Sequence, residues 1–172
     1  MAAVAIVAST VVSAGQAQAS VPPENTYTKI RNWEGRGILA TPGPSNGAKV
    51  VQWDDDGSWA THWRFVKKVD ADGDYNDRYW IVNRESGRCA GISGGALYNG
   101  AGAIQWDCNW NAWSNYWYVR LEWVEDGTPL YRLVNVWSGM CLAIPAGSKT
   151  LGIQAIQWSC ANDPDQLWDI AA

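Results

Sequence analysis

The chemistry open to this chain is bounded first by what it has little of. Its 172 residues hold one histidine, His62, and four cysteines, Cys89 with Cys108 and Cys141 with Cys160, nineteen positions apart in each pair. A Ser–His–Asp or Cys–His arrangement needs a base beside the nucleophile and a third group to orient it. A single imidazole is a poor start for either. Acids are plentiful, 17 in all, and glycoside hydrolysis needs only two carboxylates. These acids, however, gather in turn-like runs, at Asp54-Asp55-Asp56 and from Asp70 to Asp77, where solvation explains them. The stretch Asp70-Ala71-Asp72-Gly73-Asp74 alternates carboxylates as a hard cation prefers, yet it lacks the full calcium-loop spacing with a distal bidentate Glu. No catalytic residue, metal ligand or cofactor is therefore expected. The cysteines lack the close Cys-x-x-Cys pairs of zinc sites, so their equal spacing favours two disulfides, Cys89–Cys108 and Cys141–Cys160, each closing a short loop. Four buried thiols is the alternative, and it treats the equal spacing as coincidence.

What the chain has in excess is indole. There are 13 Trp and 7 Tyr against a single Phe, a bias toward rings that combine an apolar face with a polar handle. These rings recur in order. The strings IRNWEGRGI, IVNRESGRC and LVNVWSGMC place asparagines at Asn32, Asn83 and Asn135. A middle string follows each, VVQWDD, AIQWDC and AIQWSC, with Trp53, Trp106 and Trp158. A closing string ends each, THWRFV, NYWYVR and QLWDIA, with Trp63, Trp117 and Trp168. Three landmarks repeated three times in one order define a unit of about fifty residues. His62 now reads as a packing or surface position, because Tyr116 and Leu167 take its place in the sister units.

The elements that must position these residues are strands. Short alternating runs such as Tyr79-Trp80-Ile81-Val82 and Tyr131-Arg132-Leu133-Val134 are separated by Gly, Asn, Asp and Ser, and no segment sustains a helical apolar stripe. Asp72-Gly73 and Asp126-Gly127 fall between units with strand-like sequence on both sides, the signal for tight hairpins. Repeats are expected over residues 27–70, 78–124 and 130–172. The first has Ile38 and Asp55 where the others have their cysteines.

Bulk composition narrows the partners. A hydrophobic content of 47% with 17% charged residues describes a chain that folds. A net charge of -4 gives no electrostatic attraction to phosphate backbones or anionic lipid, so neither nucleic acid nor membrane insertion is expected. Residues 1–19, MAAVAIVASTVVSAGQAQA, are small, apolar and uncharged and end in Ala17-Gln18-Ala19, which reads as a signal peptide with its cleavage site. No Lys or Arg precedes Lys29, so the basic part of such a leader is expected upstream of Met1. Residues 20–172 would then form a secreted, extracellular domain, expected to be a monomer.

These repeats, above all Gln166-Leu167-Trp168, the paired cysteines and the upstream Val/Ile-Gln-Trp strings, resemble the ricin-type lectin family with its Q-x-W signature. The likeness runs from about Tyr27 to the C-terminus. It implies an all-β fold, a β-trefoil of three pseudo-threefold repeats, and up to three shallow sugar sites in a non-catalytic carbohydrate-binding module whose partners are glycans or polysaccharide. A pyranose has one apolar C–H face and a rim of hydroxyls, so a shallow site needs a ring below and short polar groups around it. The resemblance assigns the rings to Trp53, Trp106 and Trp158, and the polar partners to Thr61, Asn115, Gln166 and Asp165. Trp63, Trp117 and Trp168 are expected in the core. Packing of the middle-string rings into the core is the competing reading. The chain departs from the family at Ala40, Gly91 and Ala143, where sugar-binding repeats usually carry Asp; Asp54 and Asp107, directly after the ring, and Asp165 are the acids the sequence offers in its place, without fixing where they lie. That departure supports the alternative of a trefoil that binds a protein partner or acts as an inhibitor, with its sugar sites degenerate. Trp59, Trp110 and Trp113 are surplus to the shared landmarks, and form either an exposed glycan platform or a satellite core under the loop.

Overall fold

A computed structural model of the chain describes residues 24–68 and 78–171. The leader at 1–19, the Asp70–Asp74 run and the Asp72-Gly73 turn lie outside the described residues. Twelve strands make up one sheet system: β1 (Tyr27–Asn32), β2 (Ile38–Ala40), β3 (Val51–Trp53), β4 (Trp63–Lys68), β5 (Arg78–Asn83), β6 (Cys89–Ile92), β7 (Ala103–Trp106), β8 (Trp117–Glu125), β9 (Thr128–Asn135), β10 (Cys141–Ala143), β11 (Ile156–Trp158) and β12 (Trp168–Ala171). Six of them close a ring of antiparallel pairs. β1 pairs with β4, β4 with β5, β5 with β8, β8 with β9, β9 with β12, and β12 returns to β1. The other six form three hairpins, β2–β3, β6–β7 and β10–β11, each hung from the first strand of its repeat. This is the β-trefoil, with one barrel pair and one cap hairpin per repeat. Closure leaves the barrel strands no free edge.

The closing-string tryptophans explain why the barrel is shut. Trp63, Trp117 and Trp168 are fully buried, and each indole N–H donates to a cap-strand carbonyl: Leu39 at 2.7 Å, Ala90 at 2.9 Å and Leu142 at 3.0 Å. Each therefore supplies a large apolar body to the core while its one polar atom is satisfied. Ile30, Ile81 and Leu133 from the first strands, and Leu39, Ala90 and Leu142 from the caps, complete the same threefold layers. Asp126-Gly127 joins β8 to β9 with Glu125 opposite Thr128, and both turn residues have positive φ, 48° and 81°, as a two-residue type I′ hairpin requires.

Neighbouring repeats are clamped by the asparagines. Asn83 donates from Nδ2 to the carbonyl of Ala60 at 2.8 Å, and Asn135 to that of Ser114 at 2.8 Å; Asn32 reaches Asp165 at 2.7 Å. Their Oδ1 atoms accept backbone N–H groups of their own turns, such as Gly35 at 2.7 Å and Trp137 at 3.2 Å. All three are fully buried. Each closing loop is thus fixed by the repeat after it, and the third loop by the first repeat.

Candidate functional site

In the middle strings the glutamine points inward and the tryptophan outward. Gln52, Gln105 and Gln157 are fully buried, whereas Trp53, Trp106 and Trp158 are 41%, 48% and 45% exposed. Strand alternation forces the two side chains to opposite faces. The glutamine takes the inner face because backbone carbonyls wait there. Gln105 Nε2 donates to Gly43 at 2.6 Å, Gln157 to Ala96 at 2.8 Å and Gln52 to Ser148 at 2.7 Å, in each case to the loop of the preceding repeat. Ser86 and Ser138 hydroxyls donate to the Gln105 and Gln157 Oε1 atoms at 2.7 Å. Gly35 holds the equivalent place in the first repeat, and Gln52 Oε1 is buried without a partner.

Each outward ring leans on a glycine of the preceding repeat. A Cβ on Gly47, Gly100 or Gly152 would stand 3.6, 3.7 and 3.5 Å from the far edge of Trp106, Trp158 and Trp53. All three glycines have φ above 80°, a conformation only glycine adopts without strain. The ring edge is seated while a face stays open to water.

Beside each ring lies a recess of matching construction. Trp53 faces Ala40, Asp56 and Thr61 in a recess of about 490 Å³. Trp106 shares one of about 340 Å³ with Ile92, Asn109 and Asn115. Trp158 shares one of about 370 Å³ with Ala143, Asp163 and Gln166. These sizes sit at the small end of ligand pockets.

The closing-loop residues are brought to these recesses, but each already holds a hydrogen bond within its own loop. Thr61 is buried and its hydroxyl donates to the Ser58 carbonyl at 2.8 Å. Gln166 is buried, accepts the Ala161 N–H at 2.9 Å and donates to Ser159 at 3.0 Å. Asn115 donates to the Asp107 carbonyl at 3.3 Å. They hold the loop after the ring in place. Asp165 lies half-buried in the third recess with Oδ1 unpartnered; burial, then the nearby Asp163 and Glu34, push its carboxyl above the usual range. Of the acids directly after the rings, Asp107 is turned to Arg88 at 3.1 Å and Asn46 at 2.7 Å, and Asp54 accepts the N–H of Asp55 at 2.9 Å. Neither lines a recess.

The acids that do reach the rings were missed by sequence reasoning. Asp56 belongs to the run assigned to a solvated turn, and Asp163 carries no motif. Asp56 accepts the Ser58 N–H at 2.9 Å, and bonds from Ser58 hold its carboxyl below the ordinary carboxylate range. It is therefore a charged acceptor at neutral pH. At Gly91, a Cβ would lie 2.4 Å from Asn115 Oδ1 and 2.9 Å from the Ser114 carbonyl, so this cap strand has no room for an acid.

The disulfides Cys89–Cys108 and Cys141–Cys160 tie the second and third cap strands to the residue two places beyond the ring. Trp59 and Trp110 are exposed at 59% and 64%; Arg84 lies over Trp59 at 4.6 Å, and Trp110 packs on Trp80 at 5.1 Å, with Tyr116 beside it in a small satellite cluster. Trp113 is 43% exposed. Among the described residues no group of three or more His, Cys, Asp or Glu could hold a metal ion, and no helix is long and apolar enough to cross a membrane.

A threefold barrel with one outward indole per repeat defines a lectin-like trefoil. The profile described as ricin-type beta-trefoil lectin domain-like matches residues 16–106, 62–122 and 113–172, and the chain belongs to that family. Among solved structures, the designed threefold-symmetric protein ThreeFoil is 27% identical at a TM-score of 0.72, over 85% of this chain and 98% of its own. An exo-beta-1,3-galactanase from Clostridium thermocellum is 26% identical at a TM-score of 0.73; the match covers 88% of this chain but 31% of the galactanase. The ricin B-like lectin of Macrolepiota procera, solved in complex with lactose, shares the fold at 15% identity and a TM-score of 0.69, over 88% of this chain and 99% of its own. No curated protein matches the sequence.

Proposed function

We propose that the chain is a secreted, non-catalytic carbohydrate-binding module, spanning residues 20–172 after loss of a leader, that seats galactose-type sugars in three recesses. The observation that carries this reading is the outward exposure of Trp53, Trp106 and Trp158, each beside a recess with polar groups on its rim. A seated pyranose places its C–H face on the indole and its hydroxyls toward Asp56 in the first site, Asn109 in the second, and Asp163 with Asp165 in the third. Acceptors on the loop after the ring thereby replace the acid that Ala40, Gly91 and Ala143 do not supply. Charge-assisted bonds from sugar hydroxyls to Asp56 and Asp163 are about twice as strong as neutral ones. The first and third sites are then the tighter pair.

Galactose is favoured because the galactanase and the lactose-bound lectin both handle galactosyl units. The absence of catalysis is supported by the one imidazole: Nδ1 of His62 lies 2.8 Å from the Ser58 carbonyl and 3.3 Å from Thr61 Oγ1, spent on the loop rather than a nucleophile. Weak single sites, about 1 kcal/mol per hydrogen bond net, would act together on a polysaccharide through avidity. A glycan array probed with the purified protein at high density tests the reading. Retention on lactose and β-1,3-galactan with release by free galactose is expected; blank spots for every galactosyl glycan sink it.

A further inference from the structure

Beside the Trp106 recess lies a second one of about 340 Å³, and the two share Gly94, Gly95, Ala112 and Ser114. Its far wall is Trp113 and Trp137, which are 43% and 51% exposed. Both rings are fixed before anything binds. Trp137 donates its indole N–H to the Gly95 carbonyl at 2.9 Å, the Arg78 guanidinium lies over Trp113 at 4.8 Å, and Trp113 packs on Tyr116 at 5.7 Å. With its only polar atom used, Trp137 offers a purely apolar surface to a ligand. No charged side chain lines this cleft.

The sister clefts differ. In the third repeat the matching space is lined by Glu34 and Pro164, where the second has Trp137 and Trp113, and Asp163 and Asp165 add further acids. In the first repeat Trp59 is kept, but Glu85 stands in the place of Trp137, and Arg84 covers Trp59 at 4.6 Å. The paired, uncharged indoles, Trp113 of the second repeat and Trp137 of the third, occur in this cleft alone among the three.

We propose that the second repeat binds a neutral saccharide chain of two or more units, with one residue on Trp106 and the next in the Trp113–Trp137 cleft. This rests on the carbohydrate-binding reading above. Continuity with the Trp106 recess fixes the occupant: whatever fills the cleft must be covalently next to a sugar already seated, and uncharged. Rings held in place lose little freedom when a ligand arrives, so an added sugar contributes affinity rather than spending it on ordering the site. The second site, which lacks a carboxylate on its rim, thus gains by length what the other two gain by charge.

The test uses the full chain carrying Trp53→Ala and Trp158→Ala, so that the second site alone reports. It is titrated with galactose and with β-1,3-galactan fragments of two to four units, following tryptophan fluorescence. The trimer is expected to bind about tenfold more tightly than galactose, the gain from covering one more ring face. Trp137→Glu, which installs the residue that both sister repeats carry and so is compatible with folding, is expected to bring that ratio to about one. Equal affinity for galactose and trimer overturns the chain-length proposal while leaving the carbohydrate reading intact. A ratio that survives Trp137→Glu overturns the assignment of the cleft. Binding of none of the probes by this variant overturns the second-site proposal, and binding of none by the unsubstituted chain as well removes the carbohydrate reading.

Discussion

Replacing Trp106 by alanine separates an indole that serves a ligand from one that serves the core. Trp106 is 48% exposed, and a tryptophan side chain offers up to about 250 Å², so about 120 Å² of it meets water. A pyranose lying on one face covers about half of that. At about 25 cal/mol per Å², the contact contributes about 1.5 kcal/mol, or about tenfold in affinity. In a background of Trp53→Ala and Trp158→Ala, Trp106→Ala is therefore expected to weaken binding of a galactosyl probe about tenfold. Because only half of the ring is covered by protein, its loss should cost no more than about half the stability lost in Trp117→Ala, where the ring is fully buried and an indole hydrogen bond goes with it. Calorimetric titration and thermal unfolding on the same preparations read both quantities. Unchanged binding, or a fall in melting temperature as deep as that of Trp117→Ala, would refute the assignment and return the middle-string rings to the core.

Opening one disulfide, as Cys141→Ser with Cys160→Ser, releases a 19-residue loop; chain entropy gives a loss of about 3 kcal/mol, read as a melting temperature about 6–12 °C lower. Asp165→Asn should stabilise the protein at neutral pH. The native carboxyl titrates above its unfolded value, so its penalty is complete above the native pKa and disappears below the unfolded one; the gain, at most about 1 kcal/mol once solvent screening of this half-buried group is allowed for, should fade as the pH falls from neutral through the carboxylate range in a series of urea titrations. Asn135→Ala strands the carbonyl of Ser114 and the turn amides of Trp137 and Ser138, while the Tyr116 carbonyl keeps the N–H of Val136, and is expected to cost about 3 kcal/mol in chemical denaturation.

The repeat was legible because each landmark is made within a short stretch of chain: a turn asparagine, a strand pair, a closing tryptophan. The orientation of Gln105-Trp106 was not. Ordinary burial preference puts the tryptophan inside; the reverse holds because the carbonyl of Gly43, 62 residues away, captures the glutamine amide. The same gap separates motif from role at Gln166, whose residue type invites a ligand but whose amide is consumed by Ser159 and Ala161. Asp56 and Trp137 escaped notice for the opposite reason. Trp137 carries no motif and matters only where the turn of the third repeat folds against the closing loop of the second, whereas Asp56, three places after Trp53 in the same repeat, sits in an acidic run that reads as facing solvent.

The Asn32 clamp on the third closing loop, together with the β1–β12 pairing, makes the joint between the first and last repeats equivalent to the two internal joints. The body has no seam of its own. A gene rearranged to begin at Gly127 and to run on from β12 through a short linker into β1 would encode the same architecture, because every contact that welds one third to the next is indifferent to where the backbone is nicked.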